Sequence, residues 1–177
     1  MGEKLTAKFS QDSQPDLGIN IFRVEKGSVI KERKEGKPGW EYKIQFIQEG
    51  GGADGARHFE SYFTKQNDGK VNVFALNLMF GLLVKLGLYK ETDDVDSDMF
   101  ESETFAKKWE LIGNKLRKVG IDLALKKDRI VPKEFLTVEE AKEKMLKRGT
   151  VKVAQKAPEP APAAKVEEVK AAEGEDW

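Results

Sequence analysis

The sequence predicts a mostly β fold with α additions, and three observations support this class. Apolar and polar residues alternate with a period of two through most of residues 18–64 and again over 119–126. Over residues 71–89 the period changes to that of a helix with a broad apolar face. Glycine-bearing turns separate these stretches, which favours antiparallel strands joined by short loops. We therefore expect a small sheet packed against helices.

Three or four antiparallel strands are expected within residues 18–64. In the clearest strand, large apolar residues occupy alternating positions: Trp40, Tyr42, Ile44 and Phe46. Phe59 and Phe63 continue the alternation on the next strand. Glycine-bearing turns are predicted at residues 27–28, 35–39 and 50–55. The last turn has no large side chain to hold it, so we expect it to be mobile and to extend from the sheet.

Three helices are expected after these strands. The longest, over residues 71–89, supplies the helical part of the core. A shorter helix over 103–112 places its apolar residues on one side. Thr137 and Glu140 have the spacing of a capping box, so they predict the start of a third helix that Gly149 ends.

The chain is expected to divide into three parts. Residues 1–17 are polar and form a flexible lead-in, and residues 18–149 form one folded domain. Residues 150–177 consist mostly of Ala, Pro, Glu, Lys and Val. Such a segment buries too little apolar surface to offset the roughly 1–2 kcal/mol of backbone entropy that each ordered residue loses. We therefore expect a disordered tail.

Charge is segregated along the chain although the 31 basic residues equal the 31 acidic residues in number. Residues 104–133 contain nine basic residues and three acidic residues, whereas residues 86–103 contain seven acids and one lysine. A basic stretch of this density suits a polyanionic partner.

The residue inventory argues against an enzyme. The chain has no cysteine and one histidine, which excludes thiolate zinc sites, cysteine nucleophiles and histidine pairs. The glycine-rich turn at 50–55 lacks the Lys-Ser/Thr and the following helix of a nucleotide-binding loop. His58 is expected to be an ordinary strand histidine because no nucleophile motif accompanies it. We expect no catalytic residue, no metal and no cofactor.

No apolar stretch is long enough to span a membrane, since Asn72, Asn77 and Lys85 interrupt the longest candidate. The N-terminal residues lack the apolar core of an export signal. We expect a cytoplasmic protein that does not contact membranes.

Four acids alternate in the acidic stretch: Asp93, Asp94, Asp96 and Asp98. A calcium loop would also need a glycine at its sixth position and a final glutamate, and Met99 stands where that glycine would be. A solvated acidic loop is the favoured interpretation. A metal-dependent nuclease that uses these carboxylates stays as the less favoured alternative.

Aromatic and basic residues coincide on the predicted strands, which is typical of single-strand nucleic-acid binding. Aromatic rings on an accessible sheet face stack with bases at about 1–3 kcal/mol per base. The alternative is that this row is the inward face of a small barrel, which is favoured for Ile44 and Phe46. The candidate nucleic-acid-binding residues are Lys31, Arg33, Trp40, Tyr42, Lys43, Arg57, Phe59, Tyr62, Trp109, Lys115 and Arg117.

The end of the tail carries acids and a terminal aromatic ring: Glu173, Glu175, Asp176 and Trp177. This tip resembles the tail of bacterial and phage single-stranded-DNA-binding proteins, which recruit replication and repair enzymes through it. The aromatic ring fills a pocket while the carboxylates contact basic residues around it. A tail without function is the alternative. Charge complementarity also predicts that the acidic tail lies in the basic groove until DNA displaces it.

The chain as a whole resembles small phage single-stranded-DNA-binding proteins. The shared features are several strands, a glycine-rich hairpin loop, a helix over 77–87, a Leu-Ile-Gly-Asn-Lys-Leu element at 111–116 and this tail. The resemblance covers residues 18–127 in pattern and 173–177 in motif. It implies a five-stranded antiparallel oligonucleotide-binding (OB) barrel with two to three helices. It also implies sequence-independent binding and protection of single-stranded DNA in phage-type replication, recombination and repair. A protein-only adaptor without affinity for nucleic acid is the alternative.

Overall fold

The computed structural model describes residues 14–149, which form one antiparallel sheet and three α-helices. The strands are β1 (Gly18–Ile30), β2 (Glu41–Glu49), β3 (Arg57–Phe63), β4 (Lys118–Lys126) and β5 (Arg129–Leu136). The helices are α1 (Val73–Lys85), α2 (Glu103–Glu110) and α3 (Val138–Gly149). Short 3-10 turns lie at Lys34–Gly36, Ser97–Glu101 and Ile112–Lys115. The mostly β fold class with α additions is confirmed. The predicted tail and most of the predicted lead-in lie outside the described residues.

The strand order is β3-β2-β1-β4-β5, so the long strand β1 pairs with both β2 and β4. All four pairings are antiparallel. The two edge strands, β3 and β5, do not pair with each other within residues 14–149, and α1 contacts both. The sheet is therefore open rather than closed, and this pairing is compatible with an OB-like, partly open barrel.

A β-bulge divides β1 into two halves with opposite side-chain parity. The register against β2 shifts between Val24 and Lys26, with Glu25 as the extra residue. The prediction of a turn at residues 27–28 is wrong, because β1 continues through both residues. Gly27 serves a different purpose there: a Cβ atom at this position would lie 2.2 Å from the carbonyl oxygen of Trp109. This glycine lets α2 approach the backbone of β1.

The main core lies on the inner side of the sheet, under α1 and α2. Phe22, Tyr42 and Phe46 point into it and are fully buried. Trp109 on α2 packs edge-on against Tyr42, and its indole N–H donates to the carbonyl oxygen of Lys43 at 2.9 Å. The inward row expected for Ile44 and Phe46 is present.

Helix α3 lies on the opposite, outer side of the sheet and covers only part of it. A second buried cluster consists of Ile19, Leu136 and Ala141. A Cβ atom on Gly120 would lie 2.4 Å from the Cβ of Ala141, so α3 sits directly on β4. The capping box is confirmed, because Glu140 Oε2 accepts from the backbone N–H of Thr137 at 2.7 Å and Thr137 Oγ1 accepts from that of Glu140 at 3.2 Å. The outer side of β2 and β3 remains uncovered by α3.

Strand β5 had no clear signal in the sequence. It contains Pro132 and a charged pair, which interrupt the apolar alternation, and proline is tolerated because β5 is an edge strand. The turn that precedes it has positive φ at Lys127 (48°) and Asp128 (62°). Two consecutive positive φ values define the type I′ turn that suits a two-residue hairpin, although neither residue is glycine.

The glycine-rich turn at residues 50–55 is held by two side chains. Asp16 Oδ2 accepts from the backbone N–H of Ala53 at 2.9 Å and from Gln48 Nε2 at 2.8 Å. Gln48 Nε2 also donates to the carbonyl oxygen of Gly50 at 2.9 Å. Asp16, which we expected to belong to the flexible lead-in, therefore anchors this turn.

We expect Asp16→Asn to lower the melting temperature at pH 7 more than at pH 3. Hydrogen bonds from Gln48 and from the backbone of Ala53 lower the pKa of Asp16 in the folded protein. A lowered pKa stabilises the folded state above the unfolded value of about 3.9, and this stabilisation disappears as the pH falls. Melting curves of wild type and variant between pH 3 and pH 7 measure the difference. A difference that stays constant with pH contradicts this role.

Candidate nucleic-acid interface

The outer side of β2, β3 and the second half of β1 presents a row of exposed or half-buried polar, basic and aromatic side chains. The registers place these residues opposite one another: Lys26 with Gln45 and Phe59, and Ser28 with Lys43 and Ser61. We define the open face as the outward side chains Lys26, Ser28, Lys43, Gln45, Arg57, Phe59, Ser61 and Phe63. In an OB-like sheet, the outer side of strands 2 and 3 is the usual place for oligonucleotides.

The centre of the open face is a shallow concavity beside an exposed phenyl ring. Phe59 exposes 64% of its surface, which is unusual for a large apolar side chain. The concavity has a volume of about 360 Å³, and Gln45, Lys43 and Ser61 contribute to its walls. An exposed ring beside polar walls is suited to a planar ligand that stacks and also makes hydrogen bonds.

The cations of the open face are loosely held. Lys26 is exposed and has no ion-pair partner within the described part of the chain. Lys43 Nζ lies 3.4 Å from Glu41 Oε1, and the Lys43 side chain is half-exposed. Exposed ion pairs contribute only about 0–1 kcal/mol to stability. A phosphate group can therefore replace Glu41 as the partner of Lys43 with little loss of folding free energy.

The open face continues into a basic groove at the end of β3, which we call the edge groove. The guanidinium of Arg33 lies 4.4 Å from the centroid of the Phe63 ring. Arg33 Nη1 also donates to the carbonyl oxygens of Pro38 and Lys65, at 2.7 and 3.3 Å. The groove has a volume of about 660 Å³ and is lined by Arg33, Lys37, Phe63, Lys65, Gln66, Asn67, Asp68 and Asn72. Arg33 is thus fixed in place with its ring partner, which suits contact with a phosphate or a base.

Two acids limit the basic surface on the α2 side. Lys65 pairs with Glu101 at 3.0 Å, and Lys31 pairs with Glu103. Burial disfavours the charged form of Glu101, but hydrogen bonds from Thr64 and Lys65 outweigh this effect and lower its pKa. Glu101 therefore stays ionised at neutral pH. Lys31 also lies 5.2 Å from the centroid of the Trp40 ring, which is half-buried.

Three of the predicted base-stacking residues belong to the core. The prediction that they stack with bases is wrong for these three. Tyr42 and Trp109 are fully buried and Tyr62 exposes only 2% of its surface. Burial also raises the pKa of Tyr62 well above its usual value. Their rings pack against one another in edge-on contacts and offer no face to a ligand.

Two other predicted residues lie away from the open face. Lys115 and Arg117 lie in the segment between α2 and β4 and line neither the open-face concavity nor the edge groove. Arg117 is half-buried, and burial lowers the pKa of its guanidinium. The structure therefore brings together Arg33, Lys43, Arg57 and Phe59 from the predicted set, with Lys31 and Trp40 at the margin.

Sequence reasoning missed two residues of the interface, Lys26 and Phe63. Lys26 faces outward only because the bulge at Glu25 changes the parity of β1. Phe63 was assigned to an apolar row of β3, but the buried residues of this strand are His58 and Tyr62. When both rows of a strand contain aromatic residues, hydrophobicity alone does not decide which row faces inward.

The acidic stretch forms turns and a cap. Asp93 Oδ2 accepts from the backbone N–H of Lys90 at 2.8 Å, and Asp96 Oδ1 accepts from that of Asp98 at 2.9 Å. Across residues 14–149, no group of three or more His, Asp or Glu side chains is placed to hold a metal ion. His58 is buried in β3, stacks on Phe46 and hydrogen-bonds to Glu60, as expected for a strand histidine.

None of the helices within residues 14–149 has both the length and the apolar character that crossing a membrane requires. A scan against protein-family models finds no match, and a search of curated proteins finds none either.

Proposed function

We propose that the protein binds single-stranded DNA, with little dependence on sequence, along the open face and the edge groove. The observation that carries this proposal is the pair of outward rings Phe59 and Phe63 on β3, with Lys43 and Arg57 near the first ring and Arg33 at the second. Exposed aromatic rings need unpaired bases as partners, and the nearby lysines and arginines suit a phosphate backbone. The position on strands 2 and 3 of an OB-like sheet supports the same assignment.

The two rings would take separate bases of one extended strand. Phe59 and Phe63 are four residues apart on β3, which corresponds to roughly 13 Å. This distance corresponds to roughly four spacings of 3.4 Å between stacked bases. Each ring needs a base face that no neighbouring base covers, so the strand must unstack at both rings. Lys43 and Arg57 lie beside Phe59 and would contact the phosphates. Binding of this kind requires no covalent chemistry.

The tail would serve partner proteins rather than DNA. Its tip combines Glu173, Glu175, Asp176 and Trp177, which lie outside the described residues. The composition supports recruitment of replication, recombination or repair proteins in a cytoplasmic setting, because an aromatic ring among carboxylates suits an apolar pocket with a basic rim. This part of the proposal rests on the sequence alone.

The proposed binding is tested by its salt dependence. Fluorescence anisotropy of a labelled oligo-dT, measured between 50 and 200 mM salt, is expected to give a linear plot of log K against log salt concentration. The slope should be about −0.7 for each phosphate contacted, with roughly three to five contacts. Lys43→Ala and Arg57→Ala should each make the slope shallower by about 0.7.

A matched control is Lys144→Ala, because Lys144 pairs with Glu134 at the α3 side of the sheet and lies away from the open face. It should leave the slope unchanged. An unlabelled duplex of the same sequence should compete poorly. Tighter binding to duplex, or binding that does not change with salt, contradicts the proposal, and an absence of binding at low salt favours the adaptor.

A further inference from the structure

The carboxylate of Glu25 lies next to the open face, in contact with two of its side chains. Glu25 is the extra residue of the bulge in β1, and the bulge turns its side chain toward the outer side of the sheet. Gln45 Nε2 donates a hydrogen bond to Glu25 Oε2. Arg57 Nε lies 4.0 Å from the same oxygen. Glu25 thus lies between an amide and a guanidinium, and β2 separates its strand from the strand of the exposed Phe59.

This carboxylate contributes little to stability and opposes phosphate binding. The side chains of Glu25 and Arg57 are 33% and 49% exposed, and 4.0 Å is the outer limit of an ion pair. Such a pair is worth about 0–1 kcal/mol. A fixed negative charge in a surface that attracts phosphates repels them at this point. The negative charge of Glu25 therefore favours a base rather than a phosphate as the nearest part of a bound strand.

The hydrogen-bonding pattern around Glu25 selects among bases. A carboxylate only accepts hydrogen bonds, so the atom of Gln45 that faces it must be the amide nitrogen. The other amide atom, Gln45 Oε1, accepts no hydrogen bond from the described residues. Two acceptors, Glu25 and Gln45 Oε1, thus lie beside one donor, Arg57, and Gln45 also lines the concavity next to Phe59.

Cytosine matches this pattern and thymine does not. The edge of cytosine presents an amino donor next to ring acceptors, and glutamate is a recognised acceptor for that amino group. Thymine presents a carbonyl oxygen at the same position, which would face the carboxylate acceptor to acceptor. The volume of about 360 Å³ beside Phe59 leaves room for either base, so the difference lies in hydrogen bonding and not in size.

We infer that Glu25, supported by Gln45, gives the open face a preference for cytosine over thymine in single-stranded DNA. The inference rests on the proposed function, since it names the base that the same surface takes beside Phe59. Glu25 is then a specificity-determining residue that lowers affinity for thymine, while the remaining contacts of the open face do not depend on sequence.

The test compares labelled dC and dT oligonucleotides of 20 nucleotides, titrated by anisotropy at pH 8 and one salt concentration. Wild type should bind the dC oligonucleotide about fivefold more tightly, the low end of discrimination for a specific base contact. Glu25→Gln keeps the size of the side chain but removes the charge and adds a donor. This variant should bring the ratio of dC affinity to dT affinity close to one and should bind the dT oligonucleotide more tightly than wild type.

The matched control is Glu49→Gln. Glu49 lies on the same outer side of β2, is 32% exposed and pairs with Arg23 and Lys118. Removing its charge should raise affinity for both oligonucleotides equally and should keep the ratio. Melting curves show that each variant folds.

Equal binding of dC and dT by wild type overturns the inference while the proposed function stands. A ratio that survives in Glu25→Gln, or that disappears in Glu49→Gln as well, also overturns it. If neither oligonucleotide binds at low salt, the proposed function fails first, and the inference fails with it.

Discussion

Trp109→Ala is expected to reduce the free energy of unfolding by about 3–5 kcal/mol, the usual range for removal of a buried large aromatic side chain. Trp109 is fully buried and touches Tyr42, Tyr62 and Phe105. The substitution also deprives the carbonyl oxygen of Lys43 of the indole N–H. Loss of this hydrogen bond destabilises the folded state further. The combined loss is a large part of the total stability of a small domain.

Denaturant titrations followed by circular dichroism measure this loss. Trp40→Ala is the matched control. Trp40 is only half-buried, so this variant should lose clearly less free energy of unfolding than Trp109→Ala. Trp109→Phe keeps part of the volume and gives a folded variant if the alanine variant does not fold. A Trp109→Ala protein that keeps its stability but loses affinity for oligo-dT would mean that the ring is a base platform and that the core assignment is wrong.

The elements of the fold were predictable because each has a strong local period. The alternation over β2, the helical spacing over α1 and the capping box of α3 are all properties of short segments. The faces of the strands were harder to predict. The bulge at Glu25 reverses the parity of β1, and only pairing with β2 reveals it.

The candidate site was predictable in its chemistry and less so in its residues. Phe59 and Arg57 were predicted because aromatic and basic residues coincide on the strands. Phe63 was missed because its exposure depends on which side of the sheet α1, α2 and α3 cover. Tyr42 was misassigned for the same reason, since a tyrosine at a strand position suits a core and a stacking surface equally well. Tertiary packing decides between them.

The double variant Phe59→Ala/Phe63→Ala is expected to weaken oligo-dT binding by about 2–6 kcal/mol, because each ring that stacks with a base contributes about 1–3 kcal/mol. The two rings lie roughly 13 Å apart along β3, a separation at which the effects of two substitutions usually add. Phe59 is largely exposed, so its removal alone should hardly change the melting temperature. Phe63 is half-buried and packs with Arg33, so the double variant should melt at a lower temperature than Phe59→Ala.

The matched control for this variant is Phe74→Ala. Phe74 exposes 75% of its surface, lies on α1 and lines neither the open-face concavity nor the edge groove. It should leave binding unchanged although it removes an equally exposed ring. The salt dependence separates base stacking from phosphate contact. The double variant keeps every cation, so it should bind more weakly but with the same slope of log K against log salt concentration. A shallower slope would mean that the rings act by positioning Arg33 and its neighbours for phosphate contact, and unchanged affinity would mean that bases do not stack on β3.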